Sequence, residues 1–187
     1  YPQMLELPAS AGGFGLTLVQ ASFSVMPAGL VMMVLSPFSG RLARTIGPRV
    51  LLIMGASALI LAYGYSLLWA SEVWHLLIAN LLIGVGIGFG YAGMPMLIMR
   101  SVPQHETGAS NGLNALFRSL GTSIAAAVVG AVLAALTVDV GGVAVPTPAA
   151  FQLSFALGLG AAGIALGVAL FIPQRRDPHE ARPSMPR

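Results

Sequence analysis

Cysteine is absent from the chain, which excludes disulfides and thiolate metal sites and leaves the redox compartment open. Lysine is absent too: all nine basic residues are arginine. Charge of either sign is scarce, at 8% of 187 residues, against roughly 25% in a soluble domain. With 56% of the residues hydrophobic, that deficit points to lipid. The arginines sit in short patches beside apolar runs, so the net charge of +3 gives nucleic-acid binding little support. His75, His105 and His179 are scattered and lack metal-ligand spacing, so neither a metal site nor a cofactor is expected. A Ser/His/Asp set cannot be gathered on one side of a membrane, which argues against an enzyme. No basic segment followed by a small-residue cleavage site precedes the first apolar run, so no signal peptide is visible. The start at Tyr1 reads as a cut edge, with an upstream portion expected.

What is present is a series of long apolar runs. The hydropathy predicts five spans, at about 16–38, 50–69, 75–99, 112–136 and 151–172, each close to the roughly 20 residues that cross a bilayer. Residues 1–15 are turn-rich, with Pro2, Pro8, Gly12, Gly13 and Gly15, and read as an external loop. The stretch Ser36 to Leu52 joins the first two spans and carries Arg41, Arg44 and Arg49 with no acid, which marks its side as cytoplasmic. Arg100 and the tail 173–187, with Arg175, Arg176, Arg182 and Arg187, fall on the same side. The outer segments carry Glu6, Glu72 and Asp139 instead. The chain is therefore expected to be multi-pass in the cell membrane, with its N-terminus outside and its C-terminus cytoplasmic.

The 23 glycines are a packing signal, because glycine and proline are commoner in membrane helices than in soluble ones. Gly88 to Gly93 formally matches the dinucleotide fingerprint G-x-G-x-x-G, but it lies inside an apolar span and follows no strand, so that reading fails on context. Gly84 and Gly88, and again Gly163 and Gly167, are spaced four apart, the pattern that lets helix backbones approach closely.

Two polar stripes stand out against this background. Asn111, Asn114, Arg118 and Thr122 fall within one arc of the fourth span at about 100° per residue, so polarity enters the membrane from the arginine side. Arg118 would lie about 9 Å in if the helix began near Gly112. Two readings stand open for it: a side chain that snorkels to the interface, or one that lines a watery pathway and pairs with a carboxylate or an anionic group. Asn80, Gly84, Tyr91 and Pro95 share one side of the third span, beside a helix broken by glycine and proline. Gln20 and Ser24 share a face of the first span near Pro27, whose ring frees the carbonyl of Phe23. Gln20, Asn80, Tyr91, Asn114 and Arg118 are thus the candidate pathway residues. None of the spans contains Asp or Glu, so no proton-relay carboxylate can be named.

Two motifs add a resemblance. Gly40-Arg41-Leu42-Ala43-Arg44-Thr45-Ile46-Gly47-Pro48-Arg49 resembles the loop signature of major facilitator superfamily transporters, with Gly40, Gly47 and Arg49 at matching positions. Arg44 stands where that family usually has an acid, and Thr45 where it usually has a base. The pattern V-P-x-x-x-x-G-x-S-N-G-x-N-x-x-x-R-x-x-G, Val102 to Gly121, is similar to the segment entering the penultimate helix of fourteen-helix drug:proton antiporters. The resemblance implies an all-α membrane protein whose five transmembrane helices form most of one facilitator half-bundle. It further implies the C-terminal portion of a proton-coupled exporter of hydrophobic or cationic small molecules, working by alternating access. Its partners would be the lipid bilayer, the missing N-terminal helices, protons and a small-molecule substrate, with no nucleic acid. The alternatives are a non-transporting membrane interaction protein, a half-bundle that assembles with another chain, or a membrane enzyme whose catalytic set lies elsewhere.

Overall fold

The computed structural model describes residues 2–6, 13–69, 72–140 and 143–173. Apart from one hairpin the fold is all-α, and five helices are long and apolar enough to cross a membrane. A short helix α1 (Pro2–Glu6) precedes α2 (Leu18–Thr45), α3 (Pro48–Trp69), α4 (Val73–Ser101), α5 (Thr107–Ala135) and α6 (Pro148–Phe171). Even α3, with 22 residues, is about 33 Å long, enough for a hydrocarbon core of about 30 Å. The tail arginines at 175, 176, 182 and 187 lie outside the described residues.

Local chemistry sets the helix ends. Thr17 caps α2 in a reciprocal box: its hydroxyl accepts from the Gln20 amide at 3.4 Å, and the Gln20 side-chain oxygen accepts from the Thr17 amide at 3.1 Å. Thr147 caps α6 by accepting from the Ala150 amide at 3.3 Å, with Pro148 at the first helical position. Inside the helices, several hydroxyls donate to the carbonyl four residues earlier, as Ser22 does to Leu18 and Ser154 to Ala150, so those side chains present no bare polar group to lipid.

The segment from Ser36 to Leu52 differs from its expected loop. α2 continues through Gly40, Arg41 and Arg44 to Thr45, and only Ile46 and Gly47 separate it from α3. Nothing after Pro37 breaks the helix, and Ala43 is fully buried on its continuing apolar face. Gly47 then turns the chain at φ +87°, a left-handed conformation that costs a side-chain-bearing residue, and Pro48 starts α3 at once. Likewise the expected external loop 1–15 contains α1, and the expected loop after α5 contains an antiparallel hairpin. Its strands β1 (Thr137–Val140) and β2 (Val143–Pro146) pair Thr137 with Pro146 and Val138 with Val145.

Helix α4 is the hub. It packs along α3 on one side and α2 on the other, while α6 lies on α3. Glycine permits the close seams: a Cβ at Gly84 would stand 2.6 Å from the Ala28 carbonyl oxygen of α2, and one at Gly55 of α3 would stand 2.8 Å from the Gly86 carbonyl oxygen of α4. Gly88 meets Met32 and Leu35 of α2 at ordinary contact distances, so the Gly84–Gly88 pair lies on the α2–α4 seam. At Gly163 and Gly167, expected to form a second seam, no described atom outside the helix's own backbone lies within 4 Å of an added Cβ, so the pair meets no other helix among the described residues. In α6 it is Gly158 that is closely approached, by the Tyr63 ring.

The two ends of the bundle are built differently. Away from the arginine turn, Leu5 and Met4 of α1 sink among Ala21, Leu76, Phe151 and Phe155, with Tyr63 of α3 and Leu133 of α5 packed around them. All five long helices meet there. The chain after α1 is held on this cluster by backbone bonds from the Phe14 amide to the Met4 carbonyl and from the Leu16 amide to the Leu5 carbonyl. At the arginine end the cluster of Ala43, Leu51 and Phe89 draws on α2, α3 and α4 alone.

Candidate functional site

The site is centred on Arg118 of α5 and Tyr91 of α4. The Arg118 guanidinium carbon stands 4.7 Å from the centroid of the Tyr91 ring, a cation–π contact between neighbouring helices. Both residues lie near the middle of 29-residue helices: Tyr91 is ten residues from the Ser101 end of α4, and Arg118 is eleven from the Thr107 start of α5. Those spacings correspond to about 15 and 16 Å along the axes, so the two side chains meet at one depth. The helix itself starts earlier than the expected span, at Thr107, so Arg118 lies about 16 Å along α5 from its first residue. The guanidinium is held over a ring on the next helix instead of reaching towards the arginine end.

The stripe that carries Arg118 belongs to a helix with no buried residue. Asn114, one turn before Arg118, and Asn111 are half-buried, while Thr122, one turn after, donates its hydroxyl to the Arg118 carbonyl at 2.8 Å. Tyr91 itself is 44% exposed. Chemically the arrangement is a planar cation held over an aromatic ring, on a stripe that also carries two amides, and its N–H donors are not satisfied by the ring. Among the described residues no carboxylate pairs with Arg118; the ion pair that is present joins His105 and Glu106 at 3.6 Å, at the start of α5.

The other candidates fall elsewhere. Asn80 is 6% exposed, one turn from Gly84, and its Nδ2 makes no hydrogen bond among the described residues. Eleven residues, or about 16 Å, separate it from Tyr91 along α4. Gln20 is exposed at the first turn of α2 and is committed to the Thr17 capping box, so its polarity closes a helix end. The motif residues also act in the structure's own way: Gly40 and Arg44 are helical, Gly47 makes the turn, and Arg49 donates from Nη2 to the Leu170 carbonyl at 2.6 Å. That bond ties the first turn of α3 to the last turn of α6, where a cation complements the unpaired carbonyls of a helix C-terminus. Sequence patterning holds no signal for this pair, 121 residues apart. The Leu5 cluster was equally silent, since a Met-Leu pair in a turn-rich segment has no periodicity to read.

Five long apolar helices with a polar stripe on one of them define a multi-pass membrane protein. The model of the Major Facilitator Superfamily matches residues 4–126, and the chain belongs to that family. Members of the family are transporters rather than enzymes. The chain is 32% identical over 126 residues to the Multidrug resistance protein Stp of Mycobacterium tuberculosis strain CDC 1551 / Oshkosh, and equally to that of strain ATCC 25618 / H37Rv. Each match covers 65% of this chain and 23% of the relative. No solved structure matches. The family match takes in Tyr91, Arg118 and the Gly40–Arg49 turn, and α6 lies beyond it.

Proposed function

We propose that this chain is the C-terminal portion of a secondary active transporter that expels hydrophobic or cationic small molecules, driven by protons and working by alternating access. The observation that carries the reading is the Arg118–Tyr91 pair at mid-helix on α5, a helix that buries no residue within this chain. A guanidinium at such depth is costly in lipid and belongs against protein or water. The polar face of α5 accordingly lines the pathway, opposite helices of the same transporter that lie N-terminal to this chain. The family, and a relative named for multidrug resistance, support export as the direction. Arg41, Arg44, Arg49 and Arg100 lie at one end of the bundle and set that end in the cytoplasm of a cell-membrane protein. The arginines of the tail support a cytoplasmic C-terminus in the same reading.

The test is accumulation of a fluorescent lipophilic cation such as ethidium in inverted vesicles that carry the full-length gene product. Proton-gradient-dependent uptake, abolished by a protonophore, is the expected result. Uptake equal to that of vesicles without the protein contradicts the reading.

A further inference from the structure

We propose that Arg118, held on the face of Tyr91, is a carboxylate-binding site. The inference rests on the reading of α5 as pathway-lining and names the chemistry that this part of the pathway takes. It starts from charge balance. None of α2 to α6 contains Asp or Glu, so the guanidinium has no counter-charge within the spanning part of this chain. Glu106 stands twelve residues before Arg118, about 18 Å along the helix, and is paired with His105. It is out of reach.

Tyr91 supplies only part of what the cation needs. The ring attracts the guanidinium through its quadrupole, with the guanidinium carbon 4.7 Å from the centroid, but accepts none of its in-plane N–H bonds. Those donors form a planar fork that matches the two oxygens of a carboxylate. Asn114 is half-buried one turn earlier on the same stripe. A planar cationic fork held near a phenol ring suits a flat, singly charged anion better than a bulky or neutral group.

The carboxylate has two sources of identical chemistry: an acidic side chain on a transporter helix outside this chain, or an acid group of the transported molecule. Thermal unfolding of the purified full-length protein separates them and requires no transport activity, so it reads independently of the efflux assay. The probes are benzoate and its neutral isostere benzamide, and the variants are Arg118→Gln and Arg118→Lys. If the substrate brings the carboxylate, benzoate raises the midpoint of the unaltered protein and benzamide does not. Arg118→Gln then abolishes the shift, and Arg118→Lys weakens benzoate at least tenfold, because the ammonium lacks the fork.

If the acid belongs to the protein, benzoate is inert and Arg118→Gln lowers the midpoint at neutral pH. The unpaired acid left behind then has a folded-state pKa raised above its unfolded one. The loss is therefore greatest above that folded pKa and is recovered as pH falls through it. Either pattern supports the proposal. It is overturned if benzoate and benzamide act alike while Arg118→Gln leaves both the midpoint and its pH profile unchanged.

Discussion

Helices α4 and α5 are each 29 residues long, pack beside one another and belong to the same bundle, yet α4 buries eight residues and α5 buries none. The difference lies in which residue types each spends on its neighbours. α4 presents Gly84, Gly86, Gly88 and Gly93 to α2 and α3, and at Gly84 and Gly86 the neighbouring atoms come so near that a methyl group has no room. α5 presents Asn111, Asn114 and Arg118, and its glycines at 108, 112, 121 and 130 meet nothing within 4 Å. One helix is a scaffold that this chain completes by itself. The other lies against α4 and α6, with Leu133 at the far end and Arg118 in the middle among its contacts, and buries nothing there; under the proposed function its polar face lines the pathway.

Substitutions on the two helices should therefore separate by kind of effect. Gly84→Val drives a branched side chain into the Ala28 carbonyl and is expected to cost about 3 kcal/mol, at the upper end of core overpacking. Thermal unfolding in detergent would show it, and an unchanged midpoint would remove the α2–α4 seam as the rigid part. Arg118→Gln should leave expression and membrane insertion close to normal while lowering efflux on the order of 10- to 100-fold, the value of one charge-assisted interaction. Initial rates in vesicles measure this. A smaller change, about fivefold, is expected for Tyr91→Leu, because the ring contributes about 1 kcal/mol, and Tyr91→Phe should retain most of the activity since it keeps the aromatic face. At the bottom of the range, Gly163→Ala should change stability between nothing and a gain of about 1 kcal/mol, since open space surrounds the site and alanine favours helix.

The sequence showed the helices plainly, because apolar runs of more than twenty residues have few alternative fates. It also singled out Tyr91 and Arg118, each from the stripe on its own helix. Their meeting was not legible, because periodicity assigns a residue to a face and leaves open which helix lies opposite. The same blindness applies to α6: four-residue spacing at Gly163 and Gly167 marks a surface fit for close approach without naming its partner, and among the described residues the close approach is at Gly158. For Gln20 the local signal was missed for another reason. An amide three residues after a threonine at a helix start forms a capping box, a bond that a stripe of two polar residues does not announce. The arginine turn was taken as a loop because charge marks the membrane face, while a helix can run on past that face until a left-handed glycine stops it.

The central claim is that one face of α5 meets water at mid-membrane depth. The absence of cysteine from this chain makes it accessible to single-cysteine labelling in the full-length protein, once any cysteines elsewhere are replaced. Cysteines at Asn111, Asn114, Arg118 and Thr122 are compared with cysteines at Leu113, Leu116 and Leu120, which lie about 160–220° around the helix from Arg118. A charged, membrane-impermeant thiol reagent applied to inverted vesicles should modify the first set at least tenfold faster than the second. Equal rates on both faces, or faster reaction on the leucine face, would contradict a water-lined stripe and leave Arg118 without a pathway.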